Sequence, residues 1–241
     1  MKLIIMKLNA IATKVNLSVV LMALGVTFLT GCSEEVKDFG FTGQISGTIL
    51  DQNGNPVAGD ASNAELTVFL LGEEDRVPLE LRVNNDGTFT NTELYPQSYT
   101  LTITGPIDAP APQNVDLTVG AVQNDITVTP YIVVAEPSAT ISGSNISVSY
   151  SISPSTGHLV DEIKVLVSTV KKVGVNTGSG ARWQTLEANP VDNSGTAVVA
   201  LDTDFLEAVE KWGDGAITVR IAAKSDQTSA WNLSLPIVVD L

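Results

Sequence analysis

Side chains that commonly perform chemistry are scarce in this chain, which has one cysteine, Cys32, and one histidine, His158. A lone histidine is too few for a typical zinc site. The polar, Pro- and Gly-containing segment 153–158 predicts a loop with a solvent-exposed His158 side chain. No Gly-x-Ser-x-Gly nucleophile motif occurs. We therefore predict that the protein is not an enzyme, with no catalytic residues, no metal and no cofactor.

Carboxylates are abundant, but their spacing favours turns over catalysis. A glycosidase needs two carboxylates that face each other across a cleft, whereas Glu73, Glu74 and Asp75 are adjacent. The stretch from Asp51 to Asn55 has some character of a calcium loop, yet it lacks the distant bidentate glutamate of a twelve-residue frame. Both segments are predicted to be turns, and calcium at an acidic loop stays an open alternative.

The segment 172–183 is rich in glycine and ends on two side chains suited to sugar binding. It lacks the Gly-Lys-Ser/Thr sequence of a phosphate loop. A pyranose has an apolar face and polar edges, so Trp183 with Arg182, Gln184 and Asn176 beside it is a candidate glycan contact. The alternative is that Trp183 begins a strand and packs inward.

The N-terminal segment has the features of a targeting sequence. Three lysines precede an apolar run at 17–29, which is shorter than the ~20 residues of a spanning helix. Leu29-Thr30-Gly31-Cys32 closes this run and resembles a bacterial lipobox. The resemblance implies that residues 1–31 are a signal peptide, removed before Cys32, and that Cys32 carries acyl chains such as palmitate. An uncleaved membrane anchor is the alternative.

Acidic residues follow the cysteine in the predicted tether, residues 32–38. Glu34 and Glu35 resemble the surface-export signal of Bacteroidota lipoproteins. The resemblance implies a lipid-anchored protein of the outer membrane, displayed at the cell surface. A plain solvated linker is the alternative. Loss of three lysines with residues 1–31 takes the formal charge from −14 to −17. This charge disfavours nucleic acid as a partner.

Alternating apolar and polar residues after the tether predict short β-strands separated by Gly-, Asn- and Asp-containing turns. About seven such strands in residues 39–134 predict a β-sandwich. The residues expected on inward faces are Ile45, Gly47, Ile49, Leu66, Val68, Leu70, Leu79, Leu81, Val83, Tyr99, Leu101, Ile103, Val115, Leu117, Val119, Ile126 and Val128.

A second alternating series predicts a second sandwich, residues 135–241, after a polar step at 135–138. One helical stretch, 204–212, interrupts its strands. Phe205, Leu206, Val209 and Trp212 lie on one predicted apolar stripe. Asp204 with Glu207 resembles a capping box, and Gly213 ends the helix. Trp231 is predicted to pack on an apolar strand face. The fold class is therefore all-β, with two tandem sandwiches and one short helix in the second.

Two stretches of the first sandwich, 46–57 and 84–103, resemble the carboxypeptidase-regulatory-like domain, a transthyretin-like sandwich. The family pattern has a glycine turn, an aromatic residue and then Leu-x-Pro-Gly-x-Tyr. This chain matches the pattern except at the glycine of Leu-x-Pro-Gly-x-Tyr, which is replaced at 97–98. The resemblance implies an immunoglobulin-like or transthyretin-like fold. The matching residues are Gly87, Phe89, Leu94, Pro96 and Tyr99.

The complete layout is similar to a Bacteroidota outer-membrane lipoprotein family of uncharacterised function, associated with starch-utilisation-type glycan importers. That similarity implies a non-catalytic surface lipoprotein, an accessory glycan-binding or complex-forming component of a polysaccharide-uptake system. Its partners would be the membrane, polysaccharide and the importer. The alternative is a structural or adhesive spacer at the cell surface.

Overall fold

A computed structural model of the protein describes residues 40–60, 65–177 and 184–241. The predicted signal peptide, residues 1–31, and the tether, residues 32–38, lie outside the described residues. So do Cys32, Arg182 and Trp183. Within the described part of the chain, no helix is long and apolar enough to cross a membrane.

The first sandwich is built on strands whose buried and exposed residues alternate. Its strands are β1 (Gly43–Leu50), β2 (Thr67–Gly72), β3 (Leu79–Arg82), β4 (Thr88–Leu94), β5 (Ser98–Thr104), β6 (Ile107–Asp108), β7 (Gln113–Asp116), β8 (Ala121–Gln123), β9 (Ile126–Thr127) and β10 (Thr129–Pro130).

Two sheets enclose the core of this sandwich. One contains β1 paired antiparallel with β4 and parallel with β8 and β9, and the other has the order β3-β2-β5-β7. The predicted inward residues Ile45 and Ile49 are buried on one face of β1. Gly47 lies between them, where an added Cβ would come within 2.7 Å of the Phe89 ring. Phe89 is the partner of Gly47 on the paired strand β4, so a side chain at position 47 would displace this ring within the sheet.

The family-like residues Phe89, Leu94 and Tyr99 are all buried in the same core. Two inward assignments from the sequence are wrong. Val119 is 75% exposed, because β7 ends at Asp116 and a turn at residues 117–120 carries it to the surface. Leu79 is 42% exposed, since it begins the short edge strand β3.

The described residues of the second sandwich form nine strands and one helix. They are β11 (Ile132–Val134), β12 (Ser138–Ser142), β13 (Asn145–Pro154), β14 (Val160–Ser168), β15 (Thr185–Ala188), β16 (Ser194–Ala200), α1 (Thr203–Trp212), β17 (Ala216–Ser225), β18 (Trp231–Leu233) and β19 (Ile237–Asp240).

Its two sheets pack on a second apolar core. In one sheet β13 pairs with β16 on one side and with β11 and β12 on the other. In the other, the order is β15-β14-β17-β18, and β19 also pairs with β17. Tandem all-β sandwiches with one helix are therefore confirmed. The exact boundaries 39–134 and 135–241 stay a prediction. The strand Ile132–Val134, next to the predicted boundary, pairs with β13.

Helix α1 begins at Thr203, one residue earlier than predicted, and its N-cap is Asp202, two residues before the predicted Asp204. The Asp202 carboxylate, not that of Asp204, accepts the N-terminal hydrogen bond, from the Phe205 N–H at 2.8 Å. Phe205 and Val209 are buried against the core, as their spacing predicts. Trp212 differs from the prediction: it is 42% exposed, because the helix ends at this residue and Gly213 caps it.

Candidate functional site

The predicted glycan contacts belong to the connection between β14 and β15. Asn176 is exposed in a turn, and Gln184 is half-buried immediately before β15. The Gln184 side-chain amide donates to the Asp204 carbonyl at 3.3 Å, at the start of α1. No hydrogen bond joins Asn176 to Gln184 among the described residues, and the predicted glycan contact stays a prediction. Arg182 and Trp183 lie outside the described residues.

Hydrogen bonds close the base of this connection, which we call the loop stem and define as Thr169 and Gln184. The Thr169 N–H donates to the Gln184 carbonyl at 3.1 Å, and the Gln184 N–H donates to the Thr169 hydroxyl at 3.1 Å. The Ser168 hydroxyl also donates to the Gln184 carbonyl, at 3.0 Å. The stem therefore fixes where the connection leaves and rejoins the sheet.

The part of the connection that follows β14, residues 173–177, is also held in place. The Gly174 N–H donates to the Thr177 hydroxyl at 2.7 Å, and the Thr177 N–H returns to the Gly174 carbonyl at 3.0 Å. Val173 and Val175 are buried with Ala58 and Leu233 in a small apolar cluster. Residues 173–177 are thus held against both sandwiches, because Ala58 belongs to the first and Leu233 to the second.

Arg220 is the polar centre of this junction and is fully buried on β17. Its Nε donates to the Ser234 carbonyl at 2.8 Å, its Nη1 to the Val173 carbonyl at 3.0 Å and its Nη2 to the Gly59 carbonyl at 2.6 Å. Burial lowers the pKa of Arg220 to about 10, and the nearby Asp60 carboxylate opposes this change. The guanidinium is therefore a cation at neutral pH, and it joins three segments of the chain.

Asp60 lies on the other side of the same junction and is buried. Its carboxylate is so close to Gly174 that a Cβ on Gly174 would overlap the Asp60 Oδ2 atom. Only glycine fits at position 174 without displacing Asp60. Sequence analysis did not single out Arg220 or Asp60, because charged side chains are normally exposed to water.

A cleft of about 520 Å³ lies between the two sandwiches. Its apolar walls come from β11, from the end of β18 and from the turn after β1, and its polar residues include Asp51, Asn55, Glu136 and Asn232. The volume and mixed lining are typical of ligand clefts at domain junctions. Among the described residues that line this cleft, the charged ones are acidic: Asp51 and Glu136.

Asp51 organises the turn at the edge of the cleft. Its Oδ1 accepts from the N–H groups of Asn53 and Asn55, both at 2.8 Å, and its Oδ2 accepts from the Asn55 side-chain amide at 3.0 Å. Burial alone would raise the pKa of Asp51, but the hydrogen bonds from Asn55 and Asn53 outweigh burial and lower it. The prediction of a turn at 51–55 is confirmed.

His158 is not the solvent-exposed side chain that its loop sequence predicts. Its side chain is 8% exposed, because it stacks on Tyr131 with ring centroids 4.0 Å apart. Its Nε2 lies 4.0 Å from the Asp108 carboxylate, and its Nδ1 lies 3.4 Å from the Ser225 hydroxyl. Across the described residues, no group of three or more His, Cys, Asp or Glu side chains forms a metal site.

Trp231 is buried on a strand, as predicted, and belongs to the junction. Its backbone N–H donates to the Glu65 carboxylate at 3.0 Å. The ammonium groups of Lys164 and Lys224 each lie 5.4 Å from the centroid of its ring, so these two side chains cover the indole. Trp231 is therefore not a platform that a sugar can reach.

Comparison with known proteins identifies the fold. No family model matches the chain, and no curated protein matches it in sequence. A DUF3823 family protein from Parabacteroides merdae has a similar structure, with a TM-score of 0.67 and 18% identity over 82% of this chain and 98% of the other. A DUF3823 family protein from Bacteroides ovatus gives a TM-score of 0.64 and 18% identity over 83% and 99%.

A third solved structure, from Bacteroides uniformis, is called a "putative carbohydrate binding protein". It has a TM-score of 0.62 and 20% identity over 84% of this chain and 100% of the other. At these identities the three likenesses show a shared fold. Since they cover nearly the whole of each of the three chains, the shared fold includes the tandem arrangement of two sandwiches.

Proposed function

We propose that this protein is a non-catalytic, lipid-anchored surface protein that binds glycan, and that it serves as an accessory component of a polysaccharide-uptake system. Glycan would contact the connection between β14 and β15 through Trp183, with Arg182, Gln184 and Asn176 as hydrogen-bonding neighbours. Anchoring would come from acyl chains on Cys32. Each buried CH₂ of such a chain contributes about 0.8 kcal/mol to membrane binding.

The closed loop stem is the observation that carries the glycan-binding proposal. The described ends of this connection, the Gly174–Thr177 turn and Gln184, are both held by hydrogen bonds. A binding loop with fixed ends loses less conformational entropy when ligand binds. The Bacteroides uniformis neighbour, whose name refers to carbohydrate binding, supports the same proposal through its similar fold.

Replacement of Trp183 tests the glycan site. We expect Trp183→Ala to abolish retention on polysaccharide-containing affinity gels, because an aromatic platform supplies most of the apolar contact with a pyranose. The matched control is Trp212→Ala, which removes the 42% exposed tryptophan at the end of α1. Equal retention of Trp183→Ala and the parent protein, on a gel that retards the parent, would contradict the proposed site.

Replacement of Cys32 tests the anchor. We expect Cys32→Ala to remove fatty-acid labelling and to leave the chain unprocessed or released from the membrane, because acylation requires the thiol. Ser33→Ala, a change to the next residue, should leave labelling and membrane fractionation unchanged. Fatty-acid labelling that persists in Cys32→Ala would rule out the predicted lipidation.

A structural or adhesive spacer is the second candidate function. The buried contacts of Arg220 favour it, since they join the first sandwich to the second through Gly59. Recovery of a partner lipoprotein or porin by the tagged protein, without retention on any polysaccharide gel, would favour the spacer over the glycan-binding role. Turnover of a polysaccharide by the purified protein would contradict both.

A further inference from the structure

The cleft between the sandwiches contains an open strand edge. The Ser155 N–H donates to the Tyr131 carbonyl at 2.9 Å, and the Ala135 N–H donates to the Ser151 carbonyl at 3.0 Å. The peptide groups of alternate residues in this strand therefore face β13. Those of Ile132 and Val134, which lie between them, point to the opposite side, and both residues line the cleft.

Asn232 shows that this edge accepts a hydrogen-bonding partner from the cleft side. Its Oδ1 accepts from the Ile132 N–H at 3.0 Å, while its Nδ2 donates to the Pro106 carbonyl at 3.0 Å. Asn232 is buried, so these bonds are shielded from water. The side chain occupies the edge at Ile132. The next outward peptide group, that of Val134, lies beyond it along the cleft.

The walls of the cleft define the chemistry of an occupant. Leu233, Leu235 and Val57 provide apolar surface. Asp51 and Glu136 provide negative charge, and among the described lining residues no lysine, arginine or histidine balances it. An occupant with apolar side chains and a positive charge is therefore complementary to this lining.

We propose that this cleft binds an extended segment of a partner protein, which adds as a short strand to the edge at Val134 and directs a basic side chain toward Glu136. Main-chain hydrogen bonds along a strand edge give affinity, and the pockets beside it select side chains. This site is separate from the proposed glycan loop and does not depend on it.

The test uses the purified full chain and two fluorescent octapeptides, one alternating valine with lysine and one alternating valine with glutamate. We expect saturable binding of the lysine peptide by fluorescence anisotropy, and binding of the glutamate peptide at least about tenfold weaker, because like charges oppose docking. A lysine peptide with N-methylated valines should not bind, since it lacks the N–H groups that pair with a strand edge.

Variants of the protein place the binding in the cleft. Ala135 is exposed and lines the cleft, so Ala135→Trp should block it and abolish saturable binding. Glu136→Gln should weaken lysine-peptide binding by about two- to fivefold. Glu80→Gln, the same charge change on edge strand β3, is the matched control and should leave binding unchanged.

Several outcomes would overturn the proposal. They are no saturable binding of the lysine peptide, equal binding of the two peptides, and binding that survives Ala135→Trp. Loss of retention on a polysaccharide gel by Ala135→Trp, with peptide binding absent, would instead assign the cleft to glycan. Trp183→Ala should leave lysine-peptide binding intact, which distinguishes failure of this proposal from failure of the glycan site.

Discussion

Three polar side chains at the junction, two buried and one half-buried, each bond to the backbone of the other sandwich. Arg220 of the second sandwich reaches Gly59, Asn232 reaches Pro106, and Glu65 of the first sandwich accepts from the Trp231 N–H. Such bonds are costly to break, since the backbone group left behind is shielded from water. Burial raises the pKa of Glu65, and Asp60 adds to the rise, while the Trp231 hydrogen bond opposes it.

The raised pKa of Glu65 makes the stability of the junction depend on pH. A raised carboxyl pKa means that the folded protein favours the protonated form of Glu65. The contribution of Glu65 to the free energy of unfolding is therefore present at low pH and is lost as pH rises through the raised pKa. Glutamine keeps an acceptor for the Trp231 N–H without the half-buried charge. We therefore expect Glu65→Gln to raise the urea midpoint near pH 7 and to change it little near pH 4.

Urea titrations of both proteins at the two pH values check this expectation. Glu93→Gln, a change to an exposed residue of β4, is the control and should leave the midpoint unchanged at both. A Glu65→Gln midpoint below that of the parent protein near pH 7 would show that the carboxylate stabilises the junction as an anion.

Helix α1 illustrates how an element is positioned by its ends. Asp202 has an extended backbone and caps the Phe205 N–H, which places Phe205 and Val209 on the core side. Gly213 closes the other end through its N–H to the Val209 carbonyl at 2.8 Å. Since Gln184 bonds to the first turn of α1, the helix also supports the loop stem.

The identity of the helix cap is testable with two neighbouring aspartates. We expect Asp202→Ala to lower the free energy of unfolding by about 1 kcal/mol, because the Phe205 N–H loses its acceptor. Asp204→Ala removes a charge from the first turn without removing the cap, and a smaller loss of about 0.3–0.5 kcal/mol is expected. Equal losses in urea titrations, or a larger loss for Asp204→Ala, would contradict the observed cap.

At the scale of the whole molecule, the two sandwiches are joined by a buried junction and not by the linker alone. Arg220 contacts Gly59, Val173 and Ser234, and an apolar cluster that includes Ala58, Val173 and Leu233 surrounds it. Residues 173–175 at the start of the connection between β14 and β15, and the cleft, both adjoin this junction. Their geometry therefore depends on the two sandwiches remaining docked.

Loss of Arg220 should weaken the entire molecule. Arg220→Met keeps much of the side-chain volume but leaves three buried carbonyl groups without a donor, so we expect the free energy of unfolding to fall by roughly 3 kcal/mol. Arg76→Met, at an exposed turn, is the control. Urea titration measures the change, and an unaltered midpoint in Arg220→Met would show that the guanidinium adds no net stability.

Limited proteolysis of the same variant reports on docking itself. If Arg220 holds the sandwiches together, Arg220→Met should be cut faster between β9 and β11, where the chain passes from one sandwich to the other. Cleavage at the parent rate would indicate that the surrounding apolar cluster maintains the junction without the arginine.

The sequence by itself determined the fold class and most of the core. Alternation placed Ile45 and Ile49 inward, and the apolar spacing of 204–212 identified the helix and its buried residues Phe205 and Val209. These patterns are local: a strand with one buried face repeats every two residues and a helix every 3.6, whatever the rest of the chain does. Local patterns do not fix end residues, so the inward assignment of Val119 and the prediction of Asp204 as the helix cap are wrong.

Only the tertiary structure decided what covers the outer faces of the strands. Arg220 alternates with Val219 and Ile221 as a solvent-facing residue would, yet it is fully buried, because residues 58–60 and 173–175 cover that face. His158 is covered by Tyr131 in the same way. The cleft likewise arises where segments distant in sequence meet. Their proximity comes from the docking of two folded units, and no periodicity within either unit encodes it.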